Sequence, residues 1–376
     1  MKNIVAALIM ISFFCSVSGQ NEKNSGLNLL IGTYTNTRKS EGIYVYRFDS
    51  KTGEFAYKSK VTSVENPSYL AASPDRKHVY AVNETGKGGV SSFSFDPVTG
   101  ELVLLNRISS CGNSPCYVSV DNRDQFVFVG NYGSGTILSV LLKSDGSLQE
   151  EGQLIKHEGS SLNKSRQQSP HVHSTVLSPD NKYLMTPDLG TDKVYIYNFD
   201  RTNTANPLTP SVPAFVNVKA GSGPRHLVFH PNKKFAYLIH EMEGMISVFD
   251  YKNGKLTEKQ TITMLPAGFS GRIGAADIHI SPDGRFLYGS NRDDANEIVI
   301  YSIKKDGTLT YTGRQSTLGK SPRNFVIDPT GNFLLVANQN SDNILIFRRD
   351  KKTGLLTPLD KNIQIGAPVC LKFVSE

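Results

Sequence analysis

A turn of the Ser-Pro-Asp type returns six times along the 376-residue sequence, at nearly constant spacing. Its central position falls at residues 74, 122, 179, 231, 282 and 329, so successive turns lie 48, 57, 52, 51 and 47 residues apart. Each turn joins two short apolar segments, as in Ser73-Pro74-Asp75 leading to Ala81-Val82-Asn83, or Asp328-Pro329-Thr330 leading to Val336-Ala337-Asn338. A further segment of alternating branched and aromatic residues follows, such as Val194-Tyr195-Ile196-Tyr197 or Ile298-Val299-Ile300-Tyr301. Alternation bounded by Gly and Asp is the pattern of β-strands.

Hairpin turns end these segments at Lys51-Thr52-Gly53, Val98-Thr99-Gly100, Ser144-Asp145-Gly146, Asn203 to Asn206, Lys252-Asn253-Gly254, Lys305-Asp306-Gly307 and Lys352-Thr353-Gly354. Seven hairpins against six complete units are reconciled at the chain ends. Leu29 to Tyr34 matches the second strand of a unit with no first strand before it, and Ala367 to Phe373 matches a first strand with nothing after it. Joined, they complete a seventh unit. Length alone, at roughly 150 residues per domain, points to two or three domains. The repeat predicts one instead: residues 20–376 form an all-β, seven-bladed β-propeller closed by N- and C-terminal strands in one blade. A linear β-solenoid is the competing architecture, and the split unit argues against it because closure removes exposed edges. The absence of Trp excludes propellers built on a Trp-Asp dipeptide.

Residues 1–19 read as a secretory signal. Lys2 supplies the basic start, Ile4 to Phe14 is apolar but too short to span a bilayer, and Val17-Ser18-Gly19 offers small residues for cleavage. The chain is therefore expected to be exported, periplasmic or extracellular. Lipidation at Cys15 is the lesser alternative, because Phe13-Phe14 stand where small residues are needed. No later segment is long and apolar enough to predict a membrane span. Loss of Lys2 lowers the formal charge only from +7 to +6, and no dense Lys/Arg cluster appears. Nucleic-acid binding is not indicated, whereas a mild positive field suits a small anionic ligand. Four Cys are too few for a disulfide scaffold. A Cys111–Cys116 bridge and two small buried thiols are both open readings, and Cys370 reads as core.

The repeat serves as its own control for finding a site. Nine residues past each turn stand Asn83, Asn131, Asp188, His240, Asn291 and Asn338, a near-uniform set expected to hold the backbone. The next position varies freely: Glu84, Tyr132, Leu189, Glu241, Arg292 and Gln339, with Tyr34 in the split unit. Varied chemistry at one geometric position, at one mouth of a ring, suits a ligand site. Six residues before each turn come Ser68, Cys116, His173, Arg225, Ala276 and Arg323, with Val369 in the split unit. His173, Arg225 and Arg323 stand out there, since the innermost strands converge on the axis; a blade-to-blade polar contact is their structural alternative. His171 and His173 alternate and can share a face, but two His without a third ligand make a poor metal site. His226, His230 and His279 read as structural, and His157 as a surface residue.

The stretches Pro170-His171-Val172-His173, Gly223 to Pro231, His240-Glu241, Gly289 to Arg292 and Arg323 to Phe333 resemble the seven-bladed propeller lactonases. That group includes one type of 6-phosphogluconolactonase and the fungal carboxymuconate cycloisomerases, and the resemblance runs from about Leu29 to Phe373. It implies that His173, Arg225, Glu241, Arg292 and Arg323 belong to the site. For lactone hydrolysis we expect Glu241, His173 and Arg292 to be catalytic and Arg225, Arg323 and His171 to bind the substrate, in a scheme that needs no metal or cofactor. His240 departs from the Asn common before that Glu. The implied activity is metal-independent hydrolysis of a sugar-type lactone, 6-phosphogluconolactonase-like, on a small anionic substrate. A non-catalytic secreted binding propeller and a carboxymuconate-type cycloisomerase are the alternatives. An enzyme would bring Glu241, Arg225, Arg292 and His173 within a few ångströms of one another; a scaffold need not.

Overall fold

The computed structural model describes residues 26–376; the expected signal segment 1–19 and Cys15 lie outside the described residues. Seven four-stranded antiparallel sheets succeed one another along the chain. Their innermost strands are Leu70–Ala72, Pro115–Val120, Val176–Leu177, Pro224–Phe229, Ala275–Ile280, Pro322–Ile327 and Pro368–Ser375. Strand Pro368–Ser375 pairs with Gly26–Thr33 in the register Leu29↔Phe373 and Ile31↔Leu371, so the two ends of the chain share one blade. Inner strands of neighbouring blades pack together around the ring, which is the closed seven-bladed propeller. One short 3-10 turn, Gln339–Ser341, is the only helical element among the described residues.

Burial explains the strand patterns. The second strand of each blade lies between two neighbouring blades, so Phe126–Asn131, Phe235–His240 and Phe333–Asn338 are buried throughout and read as continuous apolar runs. The outermost strands, such as Leu148–Lys156, alternate because one edge of the pleat meets solvent. Six of the seven hairpins use their Gly at positive φ, from +76° at Gly53 to +86° at Gly307. Tyrosine ties blades together where tryptophan is missing. Tyr80, Tyr237 and Tyr288, all fully buried, donate their hydroxyl protons to the carbonyls of Gly146, Gly307 and Gly354, at 3.3, 2.8 and 2.7 Å, in the hairpins of the following blades.

The uniform register holds backbone as expected. Asn131 Nδ2 donates to the Ser110 carbonyl at 2.9 Å, and Asn338 Nδ2 to that of Thr317 at 3.2 Å. In the one Asp of the set, the carboxylate accepts N–H groups of His171 and Gly190 at 2.8 and 2.9 Å. This last arrangement corrects one expectation. His157 is buried rather than on the surface, with Nδ1 2.7 Å from Asp188 Oδ2 and Nε2 2.9 Å from the Tyr197 hydroxyl. Its polar sequence neighbours concealed a partner 31 residues away.

Cys111 and Cys116 are both free thiols, so the bridge between them does not form; Cys370 is buried, as expected. Cys111 is exposed, whereas Cys116 is buried against the axis. Burial raises the Cys116 and Cys370 thiols above the usual range. Brief treatment of the folded protein with a maleimide should therefore modify Cys111 and spare Cys116 and Cys370 in a peptide map. Equal labelling of all three would contradict this packing.

Candidate active site

Five of the seven inner strands carry a register shift at their axial end, between Pro115/Tyr117, Pro224/His226, Ala275/Ile278, Pro322/Asn324 and, across the split blade, Gly32/Thr33. The residues skipped by the ladder include Cys116, Arg225, Ala276, Arg323 and Val369, all from the axial register. A bulge frees one residue from pairing and re-aims its side chain. The same device, repeated around the ring, points five different side chains at the axis.

The varied register has an equally uniform frame. The N–H groups of Tyr34, Glu84, Tyr132, Leu189, Glu241, Arg292 and Gln339 donate to the carbonyls of Ala367, Asn66, Ser114, His171, Gly223, Gly274 and Ser321. Each acceptor lies two residues before that blade's axial residue. Seven identical backbone bonds thus present seven different side chains at one mouth of the ring.

Between these two sets lies a cavity of about 410 Å³. The varied register contributes Tyr34, Glu84, Tyr132, Glu241 and Arg292, and the axial register contributes Cys116, His173 and Arg323. Loops add Arg166, Ile273, Gly274 and Asp293. Below it, Ser68, Cys116, Arg225, Arg323 and Val369 help line a small axial void of about 10 Å³, the size of one water.

Glu241 organises the floor of the larger cavity. Its Oε2 lies 3.0 Å from Arg225 Nε, 3.3 Å from Arg292 Nη2 and 3.7 Å from His173 Nε2. Its Oε1 lies 2.7 Å from Arg166 Nη2. The four groups expected to cluster in an enzyme therefore do so. Burial alone would raise the Glu241 carboxyl, but the guanidiniums of Arg292, Arg225 and Arg166 together hold it well below the usual carboxylate range. Burial, then Arg225, holds His173 well below the usual imidazole range, so its ring is neutral at pH 7. Burial pushes Arg292 down to about 10, against the pull of Glu241, leaving it charged at pH 7.

Two predicted substrate contacts sit elsewhere. Arg225 is 2% exposed and lies beneath Glu241, outside the lining of the large cavity. Its Nη1 donates to the Ala276 carbonyl and faces His226 Nε2 at 3.1 Å, while His226 Nδ1 lies 2.8 Å from Asp277 Oδ1. Burial, then Arg225, pushes His226 down to about 3, so a neutral ring accepts from Arg225 and donates to Asp277. Arg225 is thus a buried strut for Glu241. His171 also lies off the cavity: it stacks on Tyr132 at 4.4 Å, and its Nδ1 meets the Tyr132 carbonyl at 2.8 Å. The shared face expected for His171 and His173 exists, since both rings pack on Tyr132, but only His173 reaches the cavity.

Arg323, on the same cavity two blades further round the ring, lies 5.4 Å over the Tyr34 ring. No carboxylate among the described residues comes within ion-pair distance of it. The Tyr34 hydroxyl donates to Glu84 Oε2 at 2.8 Å, and Ser68 donates to the same oxygen. Arg166 was missed from sequence because it belongs to the irregular segment between strands Leu148–Lys156 and Val176–Leu177, outside both registers. Its signal was the 57-residue spacing, the longest of the five, which marks an insertion there. No three His, Cys, Asp or Glu side chains among the described residues are grouped to hold a metal ion.

Residues 28–373 match the family described as "Lactonase, 7-bladed beta-propeller". A 6-phosphogluconolactonase of Bacillus subtilis is 35% identical over 92% of this chain and 98% of its own length. A 6-phosphogluconolactonase of Formosa agariphila is 37% identical over 80% of this chain and 86% of its own. The solved structure of a periplasmic gluconolactonase from Pseudomonas aeruginosa superposes with a TM-score of 0.89 at 40% identity, covering 93% of this chain and 99% of that one.

Proposed function

The chain belongs to the seven-bladed β-propeller lactonase family, and we propose that it hydrolyses a sugar-type lactone bearing an anionic group, as an exported enzyme. The observation that carries the reading is the buried, ionised Glu241, set beside a neutral His173 and a charged Arg292 in a cavity that holds further arginines. Water adds to the lactone carbonyl carbon as Glu241 takes its proton. Arg292 donates to the oxyanion that forms, an electrostatic contribution of about 2.7–4 kcal/mol when such a donor is well placed. Collapse breaks the ring C–O bond, and the proton on Glu241 passes to the departing alkoxide, with neutral His173 beside Oε2 as the carrier. The product is an open hydroxy acid, and the scheme draws on protein side chains alone.

Arg323 faces the cavity with no carboxylate among the described residues at ion-pair distance, which supports an anionic substrate, because a planar guanidinium binds phosphate or carboxylate in two-point fashion. Export rests on residues 1–19, and a periplasmic gluconolactonase among the structural relatives is in keeping with it. The test is acid release by the purified chain from glucono-δ-lactone and its 6-phosphate, corrected for spontaneous opening. Turnover of at least one is expected. A chain that opens neither, while binding them unchanged, would favour a non-catalytic propeller.

A further inference from the structure

Glu241 starts at a disadvantage as a base, because three guanidiniums hold it and each must be reckoned with before a proton can be accepted. Two of the three cannot leave. Arg225 is buried and braced by His226 and the Ala276 carbonyl. Arg292 is anchored through Nε to the Gly274 carbonyl at 2.8 Å, with its side chain 13% exposed. Both approach Oε2, as does His173. Among the described residues, Oε1 is held by Arg166 alone.

Arg166 differs from the other two in every respect. Its side chain is 43% exposed, it rides on the inserted segment rather than a blade strand, and its guanidinium binds no backbone carbonyl among the described residues. Nη2 makes both of its hydrogen bonds, to Glu241 Oε1 at 2.7 Å and to the Tyr132 hydroxyl at 3.2 Å. Nε and Nη1 have no hydrogen-bond partner among the described residues. Glu241 is buried, but the Arg166 end of the pair faces solvent, so a phosphate or carboxylate entering the cavity meets a guanidinium with donors to spare and competes with Glu241 for it.

We propose that Arg166 is a displaceable clamp: the anionic group of a substrate draws its guanidinium away and frees Glu241 Oε1 to accept the proton from water. This deepens, and rests on, the hydrolytic reading above. Arg166 then determines specificity, since a neutral lactone of the same ring lacks the group that opens the clamp. The pairing also keeps the base quiet until the correct substrate is seated.

The experiment compares Arg166→Ala with the wild type on glucono-δ-lactone and on its 6-phosphate, with pH profiles of kcat/KM. For the phosphorylated lactone, kcat/KM should fall at least ~10-fold, the effect of about 1.4 kcal/mol of lost binding. For the neutral lactone it should rise, because Glu241 is free without a trigger. The acid limb of the neutral-lactone profile should move to higher pH, since removing a cation beside a carboxylate raises its proton affinity. Arg166→Lys, which keeps the charge but not the two-point fork, should fall between the two. Equal losses on both lactones with an unmoved acid limb would overturn the clamp while leaving hydrolysis intact. A wild type inert on both lactones would overturn the hydrolytic reading itself, and the clamp with it.

Discussion

Exchanging Glu241 for Gln should lower kcat for lactone opening by about 10²–10⁴, the range contributed by a positioned base, while KM for an anionic lactone stays level or falls. The opposite movement of the two constants follows from the charge around the site. Arg166, Arg292 and Arg323 line the cavity with Glu84, Glu241 and Asp293, and Arg225 lies just beneath. The amide of the Glu241→Gln variant would keep the shape and remove one negative charge, so the site would bind anions at least as well and turn them over poorly. A purely structural Glu241 predicts a different pattern: both constants worsen together as the pocket loosens. Stability must be followed in parallel, since breaking a buried ion pair by removing one partner costs about 3–5 kcal/mol. Wild-type kcat in a folded Glu241→Gln protein would remove Glu241 from the chemistry.

The same electrostatics set the pH response. Because Glu241 is held well below the usual carboxylate range, it stays ionised in the folded protein until the pH falls through that lowered value, and the stability it contributes is full above the ordinary carboxylate range and is lost progressively as the pH falls from there to the lowered value. His173 is also held low, so it stays neutral across the ordinary imidazole range and gives kcat/KM no step near pH 6.5.

The architecture was legible because the chain repeats itself, and the repeat separates what every blade needs from what one blade alone carries. The uniform Asn and Asp register proved to be backbone support, and five of the seven residues of the varied register proved to line the cavity. Depth along the axis was not legible. Arg225 and Arg323 share a register, yet Arg225 turns beneath Glu241 while Arg323 reaches both the void and the cavity. A register fixes the direction of a Cβ; neighbours in other blades decide where a long side chain ends. His157 was misjudged for a related reason: its burial depends on Asp188 and Tyr197, which lie far along the chain. Arg166 escaped because comparison between repeats is blind to a segment with no counterpart.

Removing the last strand, residues 368–376, should abolish cooperative folding, an effect larger than that of any single substitution in the site. Pro368–Ser375 is the innermost strand of the split blade and, among the described residues, the only strand that pairs the end of the chain with its beginning. It buries Val369, Cys370, Leu371 and Val374, which at about 1.5–3 kcal/mol for each large apolar side chain approaches the 5–15 kcal/mol that stabilises a typical domain. It also fastens both neighbours: the Leu371 N–H donates to Asn324 Oδ1 at 2.7 Å, and the Leu70 N–H approaches Cys370 Sγ at 3.3 Å. Without it, strand Gly26–Thr33 would present a long apolar edge, open to pairing with another chain. A linear array would behave otherwise, since losing a terminal strand there weakens one repeat and leaves the others standing. Urea denaturation of the truncated chain distinguishes the two. The ring predicts loss of the whole transition and recovery of aggregated protein, with Leu371→Ala giving an intermediate loss of about 2–5 kcal/mol. A truncated chain that unfolds at the wild-type midpoint would mean that closure through this strand does not hold the ring together.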